Sequence, residues 1–424
     1  MVKIKKVIAK EVFDSRGVPT LSVSCELLSG VIGEAKVPSG KSTGSGEALE
    51  LRDGDLARYE GKGVYKAIEN INTEINLSLQ DKDFNQNTLD EKLIQLDGTE
   101  NKSRLGANAI LGVSLAYARA CAKEGGMELY EYLGNLVGNT DFKMPEPLLN
   151  VINGGKHSDS GLDIQEFMIV PLGFDSFYEK IEASGLVISS LREILLEKNF
   201  SVTLGDEGGF APKLFSNEEA LDLLEQAIQD AGYTNEQIKI GLDVAASSFY
   251  ENNSYVLKVS GGNQIKNNEE MVDWYENLIK KYPIIFIEDP LSENDWEGFM
   301  KINQKFGDTI KIVGDDLTVT NIKRINMAIE KKAINAVLIK LNQIGTLSET
   351  IQAIKLTKEQ GWDPFMSHRS GETNDTFISD LAVGLSCPYI KAGSLTKEER
   401  MCKYNRLIEI ENIINNKKHS LLKK

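Results

Sequence analysis

Histidine is nearly absent from this chain, with three in 424 residues. Cysteine is scarce as well: Cys25, Cys121, Cys387 and Cys402 are the whole set, and no two form a CxxC pair. That leaves no disulfide framework and no cysteine metal motif, so a reduced, cytoplasmic setting is expected. Positive charge is in deficit, and the net charge is −15. A broad basic face for nucleic-acid phosphates is therefore lacking, and no nucleic-acid partner is expected. A small anionic substrate is still compatible, because one local cluster or a metal reverses the field. No apolar run approaches the ~18–20 residues of a membrane helix, so no membrane partner is expected. The opening MVKIKKVIAKEVFDSRG alternates like a strand and lacks the apolar core of a signal peptide.

What is present reads as a globular protein, 41% hydrophobic and 26% charged, and too long for one ordinary core. IKKVIAKEVF, TLSVSCELL and VIGEAKV alternate as strands, with DSRGVP and SG as turns, so a three-stranded antiparallel meander is predicted. A small-residue helix is predicted over Ser103–Lys123. Turn formers crowd residues 135–147, which places a boundary between an N-terminal α+β domain, 1–137, and a second domain, 138–424.

Beyond the boundary, LLNVING and DIQEFMIVP read as two strands, followed by helices near 174–199 and 217–231. Short apolar runs then alternate with helical segments, which implies parallel strands with crossover helices. Six runs end on Asp243, Glu288, Asp315, Lys340, His368 and Lys391, spaced by 45, 27, 25, 28 and 23 residues. A (β/α)8-type barrel gathers such strand ends at one mouth, whereas a doubly wound sheet spreads them along a crevice. Two early strands plus six later ones make eight, which favours the barrel.

Asp243, Glu288 and Asp315 at one mouth would repel each other unless a cation lay between them. All-oxygen ligands suit Mg²⁺ or Mn²⁺. The ordinary alternative is helix N-capping, which explains one aspartate better than three carboxylates in succession. Lys340 follows a strand that reads as buried, and near a metal and Lys391 its proton affinity is expected to fall, making it a base; an ion pair is the alternative. Glu166 and Glu207 would share a proton if close, so that one acts as an acid. GDEGG, which carries Glu207, is also simply turn-like. His157 lies in a glycine-rich loop, where a lone histidine is usually just solvated. SHRSGETND, 367–375, joins His368, Arg369 and Ser370 as an anion-holding cluster. AKVPSGKS, 35–42, matches a relaxed phosphate-loop pattern, but Pro38 removes an amide and TGSG follows before any helix. A phosphate-loop NTPase is thus the weaker reading. A glycine-rich lid hinged at Gly40, Gly44 and Gly46 fits better.

These stretches together resemble the enolase family over essentially the whole chain. The matching motifs are DSRGVPT, SGKSTGSGEALELRDGD, NGGKHSDSGLDIQEFM, GDEGGFAP, IEDPLSENDW, GDDLTVTN, LIKLNQIGTLSETI and SHRSGETNDTFISDLAVG, in family order. The resemblance implies a ββαα(βα)6 barrel and Mg²⁺-dependent, reversible dehydration of 2-phospho-D-glycerate to phosphoenolpyruvate. It implies two Mg²⁺ ions, one on Asp243, Glu288 and Asp315 and one taking Ser39. It implies Lys340 as base, and Glu207 assisted by Glu166 as acid. His157, Gln165, His368, Arg369, Ser370 and Lys391 are implied around the substrate. The same resemblance implies a homodimer or an octamer, and as a secondary alternative a surface role in binding plasminogen through exposed lysines such as those of SLLKK, although a lysine-ended tail is common in itself. The departures are Val18 for a usual Asn, Lys41 for a frequent Ala, Asn374 for a frequent Glu and Ala392 for a common Thr.

Overall fold

The structure is a computed structural model. It describes residues 1–41, 44–158, 160–259 and 262–422. Ser42 and Thr43 of the expected lid, Asp159 of the glycine-rich loop and the terminal Lys423 and Lys424 lie outside the described residues.

Strands β1 (Val2–Phe13), β2 (Pro19–Leu27) and β3 (Ile32–Lys36) form the expected meander. Period-two alternation buries Val7 and Ala9 and leaves Lys6, Ile8 and Lys10 outside. A register shift between Ile4 and Lys6 lets Ile4 reach the same buried face three residues before Val7. A short β4 (Asp83–Phe84) adds a fourth strand, in the order β3-β2-β1-β4. The small-residue helix runs Ala107–Glu124, four residues later than its sequence predicts. Gly106 accounts for the delay: its φ of +99° lies outside the helical region, so the chain turns there before it coils.

The second domain is a closed barrel. Its strands are β5 (Glu146–Asn153), β6 (Glu166–Pro171), β7 (Ile238–Asp243), β11 (Ile284–Glu288), β12 (Lys311–Gly314), β13 (Ala336–Ile339), β14 (Asp363–Ser367) and β15 (Tyr389–Lys391). The order around the barrel is β11-β12-β13-β14-β15-β5-β6-β7. Strand β6 runs antiparallel to β5 and β7, so uniform parallel pairing does not hold for the second strand. A direct connection from β5 to β6 without a crossover helix forces that reversal. The 45-residue step from Asp243 to Glu288 is not one strand–helix unit. It also holds a small antiparallel sheet of β8 (Tyr250–Glu251), β9 (Ser254–Val259) and β10 (Gly262–Lys266).

Leu148, Met168, Val170, Phe286, Val313, Ala336, Leu338 and Phe365 fill the barrel interior. Phe286 packs edge-on to Phe365, with ring centroids 5.4 Å apart. Gly241 on β7 makes room for Phe286: a Cβ there would lie 1.9 Å from a ring carbon. Each aromatic so buried contributes about 1.5–3 kcal/mol. Among the described residues, no helix is long and apolar enough to cross a membrane. The segment after β3 enters no helix in its next described residues, which removes the phosphate-loop reading.

Candidate active site

Strand periodicity carries the barrel's inner face directly into the site. Side chains two apart on a strand share a face. Two residues beyond Gly241, Phe286, Val313, Leu338 and Tyr389 stand Asp243, Glu288, Asp315, Lys340 and Lys391. Reversed β6 contributes from its first residue, so Glu166 stands two before Met168. All six polar groups therefore sit on top of the apolar plug, at one end of the barrel. Glu288, Glu166, Lys391, Asp243 and Asp315 are buried, from 0% to 7% exposed. The loops after β7, β11 and β12 hold Ala245, Asp289, Val319 and Thr320 at φ between +41° and +54°. Left-handed backbone at non-glycine residues is strained, and such strain gathers where a fold holds functional groups in place.

Lys391 is the electrostatic hub. Its ammonium donates to Asp243 at 2.9 Å and to both Glu288 oxygens at 2.9 and 3.0 Å, and lies 3.3 Å from Glu166. Burial works to lower its proton affinity, but Asp243, Glu166 and Glu288 raise it well above the usual lysine value. Lys340 donates to Asp315, whose other oxygen accepts from Gln343 at 2.9 Å. In the metal-free chain the ion pair, the alternative reading for Lys340, is what forms. Burial does lower the proton affinity of Lys340, but Asp315 outweighs it and the net shift is upward. Gln165 donates to Asp243 at 3.2 Å.

Burial and then Asp243 hold the Glu288 carboxyl well above the usual range. Asp289 is raised by burial and Asp316, and Asp316 is pushed up to about 7 by burial and Asp315. Crowded, buried carboxylates of this kind favour a hard divalent cation, and the donors are all oxygen. Asp289, Asp315 and Asp316 bring ligand oxygens within 4.8 Å of one another. Asp243 and Glu288 share the Lys391 ammonium where a cation would serve. Neighbouring Asp289 and Asp316 were missed from sequence, although each stands beside a recognised strand end in IED and GDD.

Across the mouth lies an acid–base group. His157 Nδ1 is 3.5 Å from Glu166 and 3.9 Å from Glu207. Burial and then Glu207 hold Glu166 well above the carboxylate range. Burial also works to raise Glu207, but His368, His157 and Arg400 outweigh it and hold it well below. The two environments push the affinities of the two carboxyls apart, Glu166 upward and Glu207 downward. Asn150 donates to Glu207 at 3.3 Å, and His368 Nε2 lies 3.1 Å from it.

SHRSGETND joins this group to the N-terminal domain. Ser39 and Gly371 exchange backbone hydrogen bonds of 2.8 and 2.9 Å. A side chain at Gly371 would meet the Arg16 guanidinium and the Asp14 carboxylate of DSRG at 2.3 Å, so this junction packs tightly and a larger residue would have to displace that ion pair. Arg369 donates to Asn342 at 2.8 Å and to Glu47 at 3.0 and 3.2 Å. The Lys41 amide donates to the Ser370 hydroxyl at 2.7 Å, and its ammonium reaches Asp206 at 2.8 Å. Ser39 stands apart from the others. Its hydroxyl donates to Glu50 at 3.0 Å and accepts from Arg52 at 2.9 Å, and it does not line the cavity that holds Lys340, Arg369 and Lys391. Glu47, Asn150, Gln343 and Arg400 carry no signal in strand-end spacing, and sequence reasoning passed over them.

Two family models match the chain: "Enolase, N-terminal domain" over residues 4–133, and "Enolase, C-terminal TIM barrel domain" over residues 141–420. The second alone takes in more than half of the sequence, and its barrel supplies both the carboxylate-rich wall and the acid–base group described above. The chain therefore belongs to the enolase family, as an enzyme of that superfamily's lyase kind.

Proposed function

We propose that this protein catalyses the enolase reaction itself: the reversible dehydration of 2-phospho-D-glycerate to phosphoenolpyruvate and water, as in glycolysis. One observation carries the reading. Lys340, just past the end of β13, and Glu166 on β6 belong to strands four apart in either direction around an eight-stranded barrel. A base and an acid on opposite walls can act on opposite faces of one substrate lying between them.

In this reading Lys340 takes the C2 proton and leaves the C2–H electron pair delocalised into the carboxylate; that pair then forms the C2–C3 double bond as the C3–O bond breaks. Glu207 delivers a proton to the departing hydroxyl, which leaves as water. Glu166, with the higher affinity, holds the proton, and Glu207 acts as the acid once that proton has passed to it. Lys391 grips the substrate carboxylate beside Gln165. Arg369 and Ser370 hold the phosphate, for which Glu47 is the internal competitor. His157 and His368 complete the acid side. Mg²⁺ held by Asp243, Glu288 and Asp315 would supply charge to the substrate carboxylate and its dianionic form, and would lower the proton affinity of Lys340 by engaging Asp315. Ser39 would serve a second Mg²⁺ on release from Glu50 and Arg52.

The test is ultraviolet absorbance of the enol product, with 2-phosphoglycerate and Mg²⁺. Absorbance should rise with Mg²⁺ and stop on chelation. No Mg²⁺-dependent phosphoenolpyruvate would sink the reading.

A further inference from the structure

Arg400 has no place in the chemistry above, yet its side chain is fully buried. It projects from the first turn of the helix Glu398–Leu422. A guanidinium has only donors and keeps its proton in proteins. Its Nη1 lies 2.5 Å from His368 Nδ1 and donates to the Arg369 carbonyl at 2.7 Å. Its Nη2 donates to the carbonyls of Ser370 at 2.7 Å and Asp206 at 3.4 Å. His368 Nδ1 must therefore accept, and it carries no proton. The proton of the neutral ring is left on Nε2, which faces the Glu207 carboxylate at 3.1 Å.

We propose that Arg400 is a positioning residue that locks His368 in the neutral Nε2–H tautomer, making the imidazole a fixed hydrogen-bond donor toward Glu207 and not a base. The lock stands on geometry alone; what the donor serves rests on the reaction proposed above. The charged groups facing His368 are Glu207 from the GDEGG loop, Arg400 from the helix and Glu372 from its own loop. Burial and then the opposing pulls of Glu207 and Arg400 leave the ring pushed down to about 4, so it is neutral at ordinary pH. The same guanidinium ties Asp206, next to Glu207, to Arg369 and Ser370. It thereby fixes the acid's loop against the loop expected to hold phosphate.

Three histidines make the test direct. With ¹⁵N-labelled histidine, long-range proton–nitrogen correlation reads the tautomer of each ring in the ligand-free chain, and His368→Gln assigns the signal. The expected pattern for His368 at neutral pH is Nε2–H with an unprotonated Nδ1. An Nδ1–H tautomer or an imidazolium there overturns the lock. Arg400→Met should let Nδ1 take a proton and lower kcat about 10- to 100-fold, the loss typical when a partner orienting an active-site imidazole is removed. Arg400→Lys restores a donor that cannot accept, so it should keep the wild-type tautomer and recover much of kcat. An unchanged tautomer in Arg400→Met, or no recovery in Arg400→Lys, counts against the proposal. If the methionine variant does not fold, the wild-type and lysine spectra still decide. Because the tautomer is read without substrate, a failed phosphoenolpyruvate assay would sink the reaction and leave this measurement standing.

Discussion

Replacing Lys391 with methionine removes one ammonium from three buried carboxylates and keeps most of the stem. The ammonium lies 2.9 Å from Asp243, 2.9 Å from Glu288 and 3.3 Å from Glu166. At an effective dielectric near 20, each contact of ~3 Å is worth about 5 kcal/mol before desolvation. Desolvation offsets much of this, and removing one partner from a buried cluster costs about 3–5 kcal/mol net. At about 2 °C per kcal/mol for a domain of this size, the melting temperature should fall by roughly 6–10 °C in chelator. The sign of the pH dependence follows from Glu166 and Glu288, whose pKa values in the folded protein are already raised. A carboxyl raised on folding contributes stability that is present below its ordinary value and lost as pH rises through the raised one. Without Lys391 both values rise further. The variant should therefore approach wild type in acid and fall furthest behind at alkaline pH. Added Mg²⁺ should stabilise the variant more than wild type, because it replaces the missing charge. Thermal melts across pH, in chelator and then in Mg²⁺, make the comparison. A variant that melts with wild type in alkaline chelator, or gains no extra stability from Mg²⁺, would refute the reasoning.

Two other substitutions probe the scaffold and the lid. Gly241→Ala puts a methyl 1.9 Å from a ring carbon of Phe286, and overpacking of this kind costs about 1–3 kcal/mol. The denaturant midpoint should drop, and an unchanged midpoint would contradict the packing of the barrel interior. Lys41→Ala breaks the 2.8 Å pair with Asp206, whose side chains are 48% and 30% exposed. A pair so exposed is worth at most about 1 kcal/mol, so KM should move by less than about fivefold, and less again in high salt. A tenfold, salt-independent change would show that Lys41 touches substrate.

The barrel and most of its mouth are legible because two periodicities coincide. Strand–helix units recur about every 25 residues, and the inward face repeats every second residue, so the last inward side chain of each strand is readable. Asp243, Glu288, Asp315, Lys340 and Lys391 are all of this kind. The reversal of β6 is not legible from its apolar pattern, because alternation looks the same in either direction. The small sheet β8–β10 hides in the longest step because only β9 has an apolar run; β8 is two residues long and the last strand, GNQIK, is mostly exposed. Arg400 and Glu47 reach the site from a helix and from the N-terminal domain, through contacts between residues far apart in sequence. That Lys340 would pair with Asp315 and not with another carboxylate was not legible, because spacing does not encode which carboxylate the ammonium meets.

Everything proposed for the reaction depends on Lys340 removing a proton from C2. Exchange of the C2 proton of 2-phosphoglycerate with solvent deuterium measures that step apart from loss of the hydroxyl. Wild type in Mg²⁺ should exchange it, and Lys340→Ala should not, while Mg²⁺ binding to the variant stays largely intact. Exchange that persists in Lys340→Ala would place the base elsewhere.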